Sequence, residues 1–170
     1  MKKVTIFLVI LLLFLIQSLD ARISKRSKKP LVEIVPKVNF LIKSDLEVDI
    51  GGDVIFNPSD RLGIRCNFAD IHIAGGTVFF LNYSLLYPTF DALIYIQSQG
   101  IQPYIHTGLG FVSGTGSALV LSGGMGFDFY MNKENRFFIE PGILIVNTSS
   151  NGSDTDIYLR IALGAKFGIL

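Results

Sequence analysis

Residues 153–170 read SDTDIYLRIALGAKFGIL. From Ile157 onward one alternate set is Ile157, Leu159, Ile161, Leu163, Ala165, Phe167 and Ile169, and the other is Tyr158, Arg160, Ala162, Gly164, Lys166, Gly168 and Leu170. A period of two over this length is a β-strand, because successive side chains leave opposite faces. One face is apolar throughout. The other mixes charges with glycines. Two environments fit this pattern. In a soluble sheet the apolar face covers a core and the mixed face meets water. In a membrane barrel the apolar face meets lipid, and small and charged residues point to a narrow axis.

The same alternation recurs upstream, punctuated by Gly, Asn, Asp, Ser and Pro. Leu31–Lys43 sets Val32, Ile34, Val38, Phe40 and Ile42 against Glu33, Lys37 and Asn39. Leu46–Asn57 sets Leu46, Val48, Ile50, Val54 and Phe56 against Glu47, Asp49, Gly51 and Asp53. After the turn NPSDR, Leu62–Phe68 sets Leu62, Ile64, Cys66 and Phe68 against Gly63, Arg65 and Asn67. The phase then shifts near Asp70, as a bulge or a turn would make it do. Thr77–Tyr87 sets Phe79, Leu81, Tyr83 and Leu85 against Asn82 and Ser84. Residues 90–100, FDALIYIQSQG, alternate poorly and read as a connection, or as a strand end with an extra hairpin.

The C-terminal third is clearer. Gln102–Val112 sets Pro103, Ile105, Leu109 and Phe111 against Tyr104, His106, Gly108 and Gly110. Ser117–Met131 sets Leu119, Leu121, Met125, Phe127 and Phe129 against Ser122, Gly124, Gly126, Asp128 and Tyr130. NKEN is a tight turn, Phe137–Val146 is the next strand, and NTSSNGSDT reads as a longer polar loop. The expected fold is all-β: a closed antiparallel up-and-down transmembrane barrel of eight strands, with ten as the alternative count.

Side-chain volume decides between the environments. Phe, Leu and Ile fill nearly every position of the apolar face, and an eight-stranded interior is only wide enough for a modest set of side chains. The glycine- and charge-rich face fits inside, and a bulky apolar exterior needs lipid. The inward set is then a lumen charge network of Glu33, Lys37, Glu47, Asp49, Asp53, Arg65, His106, Asp128, Glu140, Arg160 and Lys166. Buried charges need partners. Asp128, Glu140 and Arg160 are expected at similar heights on consecutive strands, with Arg160 among acids.

The stretches IQPYIHTGLGFVSG, GGMGFDFYMNKENRFFIEPGILI and DIYLRIALGAKFGIL resemble the C-terminal half of small outer-membrane β-barrels of the OmpA-like and OmpX-like type. The Pro-Tyr entry into a Gly-x-Gly strand (Pro103, Tyr104, Gly108, Gly110) and the G-x-D-x-Y before an Asn turn carry the resemblance. It covers Gln102–Leu170; the first half matches by pattern alone. Barrels of this type usually end on an aromatic residue that the outer-membrane insertion machinery recognises, whereas this chain ends on Leu170 with Phe167 as its nearest aromatic. The chain also has no Trp for an interfacial girdle. The resemblance implies residence in a bacterial outer membrane as a monomer, a structural, surface-exposed role and no enzymatic activity. Contacts with host or environmental macromolecules, as in adhesion, would run through loops, above all Asn147, Ser149, Asn151, Asp154 and Asp156. The interior would be plugged rather than freely conducting like a porin.

The N-terminus agrees with export. Lys2 and Lys3 precede an unbroken apolar run, Val4–Ile16, and then QSLDA. This is the pattern of a signal peptide ending at Ala21, and the run is shorter than the ~20 residues of a spanning helix. A retained anchor is the alternative. The organisation expected is 1–21 signal peptide, 22–30 basic lead-in and 31–170 barrel. The lead-in holds Arg22, Lys25, Arg26, Lys28 and Lys29 and reads as a solvated segment. From Leu31 on there are 8 basic and 13 acidic residues; no aromatics interleave with the basic lead-in, so a nucleic-acid surface is not expected.

Chemical constellations are sparse. The single Cys66 precludes an internal disulfide, and His72 and His106 are the only histidines. Asp70 and His72 alternate on one face, but three or four ligands are needed for a zinc site; no metal or cofactor is expected. Asn147-Thr148-Ser149 and Asn151-Gly152-Ser153 are formal glycosylation acceptors and mark an exposed loop. Two other functions remain open: a soluble lipocalin-type ligand carrier with its apolar face inside, and a lipid-modifying barrel enzyme dependent on His106.

Overall fold

A computed structural model describes residues 29–74, 77–83, 89–96, 101–113, 117–149 and 153–169. Among the described residues nine strand segments follow in order: β1 (Val32–Ile42), β2 (Leu46–Ser59), β3 (Leu62–Ala74), β4 (Thr77–Tyr83), β5 (Thr89–Tyr95), β6 (Ile101–Ser113), β7 (Ser117–Tyr130), β8 (Asn135–Ser149) and β9 (Ser153–Gly168). Every pairing is antiparallel. β1 pairs with both β2 and β9, and β2 pairs with β3, so the sheet closes on itself. β4 and β5 both pair with β3, at its upper and lower parts respectively. They share one place in the ring, which makes this a closed barrel with eight strand positions.

β5 corrects the reading of residues 90–100 as a connection or strand end. Thr89–Tyr95 is a regular strand, in register with β3 at Leu62–Cys66 and with β6 at Tyr104–Gly110. Its alternation is hidden because Leu93 and Tyr95 point inward while Phe90 and Ile94 point outward, so both faces are apolar. The phase shift near Asp70 is a bulge. Gly52 faces Ala69 and Asp53 faces Asn67, leaving Phe68 as the extra residue of β3.

The polar stretch after Val146 is also corrected. β8 runs on to Ser149 and β9 starts at Ser153. Asn147 faces Thr155, Thr148 faces Asp154 and Val146 faces Asp156, so these residues form a paired hairpin tip rather than a long loop. The Asn147 amide donates to Thr155 Oγ1 at 3.0 Å, a cross-strand bond that extends the pairing. Asn151 lies outside the described residues, as do residues 1–28 with the expected signal peptide. The expected NKEN turn, residues 132–135, forms between β7 and β8, where Asn132 Oδ1 accepts the N–H groups of Glu134 and Asn135 at 2.9 and 2.8 Å.

The outer surface is a belt of hydrocarbon. Phe90, Leu109, Phe111, Phe137, Ile143, Ile157 and Leu159 are each at least half exposed. On β8 the outward residues run Phe137, Ile139, Pro141, Ile143, Ile145 and then turn polar at Asn147. On β9 the change falls between Ile157 and Thr155, the partners of Ile145 and Asn147. From Phe137 to Ile145 is nine residues, the ~9–11 that a tilted strand needs to cross a bilayer. Strand ends beyond that line stand above the apolar belt.

Candidate functional site

The interior holds what a soluble protein would put outside. Glu33, Lys37, Asp53, Arg65, His106, Asp128, Glu140, Arg160 and Lys166 are all buried. Each lies at an inward position of its strand, and most are flanked by outward apolar neighbours. Glu47 and Asp49 sit higher on β2, partly exposed near the upper mouth. Among the described residues two further buried charges that the sequence reading missed join the set, Asp91 and Arg136. Asp91 lay in the segment without clear alternation. Arg136 abuts the NKEN turn, where strand phase starts and cannot be read alone.

The upper tier is centred on Arg65 and Glu140. Arg65 Nη1 and Nη2 donate to Glu140 Oε2 and Oε1 at 2.7 and 3.0 Å, and Arg65 Nε donates to Asp91 Oδ2 at 2.7 Å. Arg160 Nη2 donates to Glu140 Oε1 at 2.6 Å, and the Tyr104 hydroxyl donates to Glu140 Oε2 at 2.8 Å. Lys37 Nζ lies 2.7 Å from Asp53 Oδ1, which also accepts from Asn67 Nδ2 at 3.1 Å. Ser122 Oγ donates to Asp91 Oδ1 at 2.7 Å. Three cations (Lys37, Arg65, Arg160) thus meet three carboxylates (Asp53, Asp91, Glu140). His106 Nε2 borders this tier, 3.4 Å from Arg160 Nη2 and 3.5 Å from Glu140 Oε1.

A lower tier pairs Glu33 with Arg136, Arg136 Nη1 with Asp128 Oδ2 at 3.4 Å, and Lys166 Nζ with Asp128 Oδ1 at 2.7 Å. Asp128 therefore does not join Glu140 and Arg160 in one tier, contrary to the expectation from tight hairpins; Arg160 faces Gly142, one inward step above Glu140, and reaches down to it. In register Asp128 faces Phe138, one inward step below Glu140. Between the tiers lies an apolar layer of Val35, Ile55, Leu93, Tyr95, Tyr104, Phe138 and Ala162. Val35 separates Glu33 from Lys37 along β1, and Phe138 separates Arg136 from Glu140 along β8. Low dielectric around both tiers strengthens each pairing and makes an unpaired charge costly.

Glycines create the room. A Cβ on Gly126 would overlap the Tyr104 ring, and a Cβ on Gly108 would overlap the Asp91 carboxylate. Tyr104 can lie across the lumen to reach Glu140 only because β7 carries no side chain beneath it. Lys166 Nζ sits 4.0 Å from the centre of the Tyr104 ring, a cation–π contact that joins the lower tier to the apolar layer.

Lys29 departs from the expected solvated lead-in. Its amine is tucked into the lower mouth over the Tyr95 ring, while its backbone N–H donates to Asp60 Oδ1 at 3.3 Å. The pair Asp70 and His72 lies outside the described side chains. Among the described residues no three His, Cys, Asp or Glu side chains converge as metal ligands.

A charged axis, an apolar exterior and a closed sheet together require lipid around the molecule. It is a membrane barrel. Neisserial surface protein A (NspA) matches this fold with a TM-score of 0.61 at 7% identity, over 81% of this chain and 96% of that one. The outer membrane protein OprG from Pseudomonas aeruginosa matches with a TM-score of 0.52 at 12% identity, over 85% and 98%. The de novo designed TMB2.3 matches with a TM-score of 0.51 at 14% identity, over 86% and 98%. No protein-family model and no curated protein matches the sequence. What is shared at these identities is the fold, a small closed antiparallel barrel with eight strand positions.

Proposed function

We propose that this barrel resides in a bacterial outer membrane, reached by export through its N-terminal apolar segment, and acts there as a structural, surface-exposed protein with a closed lumen. The observation that carries the reading is the two-tiered ion network on the axis inside a hydrocarbon belt. Three cations matched by three carboxylates in the upper tier leave little reason for ions to enter. The same observation disfavours a lipocalin-type carrier, whose apolar residues would face inward. A non-enzymatic role is supported by where the reactive groups point: Ser122 bonds Asp91, and His106 borders Arg160 and Glu140 within the plug.

Surface contacts would be made by the upper rim, where strands β8 and β9 rise past the apolar belt. That rim presents Asn147, Thr148, Ser149, Asp154, Thr155 and Asp156, with Lys43 paired to Asp156. It suits a polar or cationic macromolecule better than an apolar one. The test is protease accessibility and labelling of a Thr148→Cys variant on intact cells, together with gel mobility before and after boiling. Labelling of intact cells and a heat-dependent mobility shift are the expected results. A protein recovered without detergent, with unshifted mobility, would overturn the membrane placement.

A further inference from the structure

At the lower mouth, the barrel end that carries Pro30 and Ile169, basic side chains outnumber carboxylates. Lys29, Arg136 and Lys166 converge there on Glu33 and Asp128. Asp60 stands outside at the exposed turn, where it takes the Lys29 backbone N–H. The other groups around this mouth are Tyr95, Gln102, Tyr104 and Tyr130, which are neutral, and Arg61, Lys133 and Glu134 in the exposed turns.

Arg136 is 1% exposed, yet among the described residues its Nε and Nη1 donate no hydrogen bond, although Nη1 lies 3.4 Å from Asp128 Oδ2. The Lys29 amine is likewise buried with no hydrogen-bond partner among them. Glu33 pairs with Arg136 and Asp128 with Lys166, while Glu33 Oε2 and Asp128 Oδ2 take no hydrogen bond from the described residues. The Lys29 and Lys166 amines approach the same Tyr95 ring, Lys166 at 5.4 Å from its centre. A buried cation without an anion is costly.

We propose that the lower mouth is an oxyanion site, in which Lys29, Arg136 and Lys166 hold one phosphate- or sulfate-type group that enters from water. A tetrahedral oxyanion accepts several N–H bonds at once and supplies the missing negative charge. Burial pushes the Lys29 amine down to about 5, and Arg136 adds to that. Seating an oxyanion beside it returns the proton, so binding takes up one proton across neutral pH.

The test follows the thermal midpoint of the full chain, folded in neutral detergent, by gel mobility at constant ionic strength. Sulfate is the main probe because its charge does not change across this range; phosphate is the second. Low-millimolar sulfate should raise the midpoint saturably against chloride, with apparent affinity falling about tenfold for each pH unit from 6 to 8. Lys29→Gln should lose the effect, and Lys29→Arg should keep it without the pH slope. Lys43→Gln, on the opposite rim, should respond like the parent. A shift seen only with phosphatidylglycerol and not with free anions would assign the same site to a lipid head group. No shift with either source, or an equal shift in Lys29→Gln, would overturn the proposal.

Discussion

Arg65 and Glu140 meet across the whole width of the barrel. Their strands, β3 and β8, are four places apart in a ring of eight, and the two side chains join by paired contacts of 2.7 and 3.0 Å. Such a bond ties opposite walls together directly, where hydrogen bonding in the sheet ties only neighbours. Tyr104 and Arg160 add two further strands to the same carboxylate.

Glu140→Gln keeps the shape of this junction and removes its charge. Arg65 and Arg160 are then left buried with one fewer anion, and breaking a buried pair from one side costs about 3–5 kcal/mol. Urea unfolding in micelles, read by gel mobility, should show that loss. Arg65→Gln should cost a comparable amount. The double variant should lose clearly less than the two losses summed, because the pair shares one interaction. Strict additivity would show that the contact contributes nothing.

The closed axis makes a prediction for conductance. In planar bilayers the parent protein should give no steady open level. Arg65→Ser combined with Glu140→Ser removes the two side chains that span the lumen, and should introduce discrete conducting steps while heat-dependent mobility shows the barrel intact. Parent and variant conducting alike would mean that this junction does not close the passage.

Much of this architecture was legible in residues 153–170. Every outward residue from Ile157 to Ile169 is on the apolar side, and Arg160 and Lys166 are both inward, because one alternation runs unbroken through β9. Periodicity assigns a face but not a height. It therefore could not place Asp128 below Glu140, nor reveal that Val35, Ile55 and Leu93 form an apolar layer between two charged tiers. The pairing of Arg65 with Glu140, 75 residues apart, depends on closure and is invisible to any local pattern. The hairpin tip beyond Val146 was hidden for another reason. Its Asn, Thr, Ser and Asp residues are turn formers elsewhere, and here they continue strands that have left the lipid.

Gly126 tests whether the glycines are there for room. Gly126→Val places branched carbons where the Tyr104 ring lies, so the ring must leave Glu140 or β7 must bend. Overpacking of this kind costs about 1–3 kcal/mol. Combining it with Tyr104→Ala removes the obstruction and should recover part of the loss, measured by the same urea titration. An undiminished loss in the double variant would place the strain elsewhere.

The outer face should report depth through charge. Ile143 and Asn147 both point outward on β8, but Ile143 lies within the apolar stretch and Asn147 just past its end. An arginine on the lipid face costs about 2–4 kcal/mol near the bilayer midplane and about 0–1 kcal/mol near the interface. Ile143→Arg should therefore destabilise the barrel strongly in phospholipid vesicles, and Asn147→Arg should scarcely change it beyond its bond to Thr155. Because the cost comes from lipid rather than from packing, the gap should widen in bilayers with longer acyl chains, which bury Ile143 deeper. Equal losses at the two positions, or a gap insensitive to chain length, would mean that water rather than hydrocarbon surrounds this part of β8.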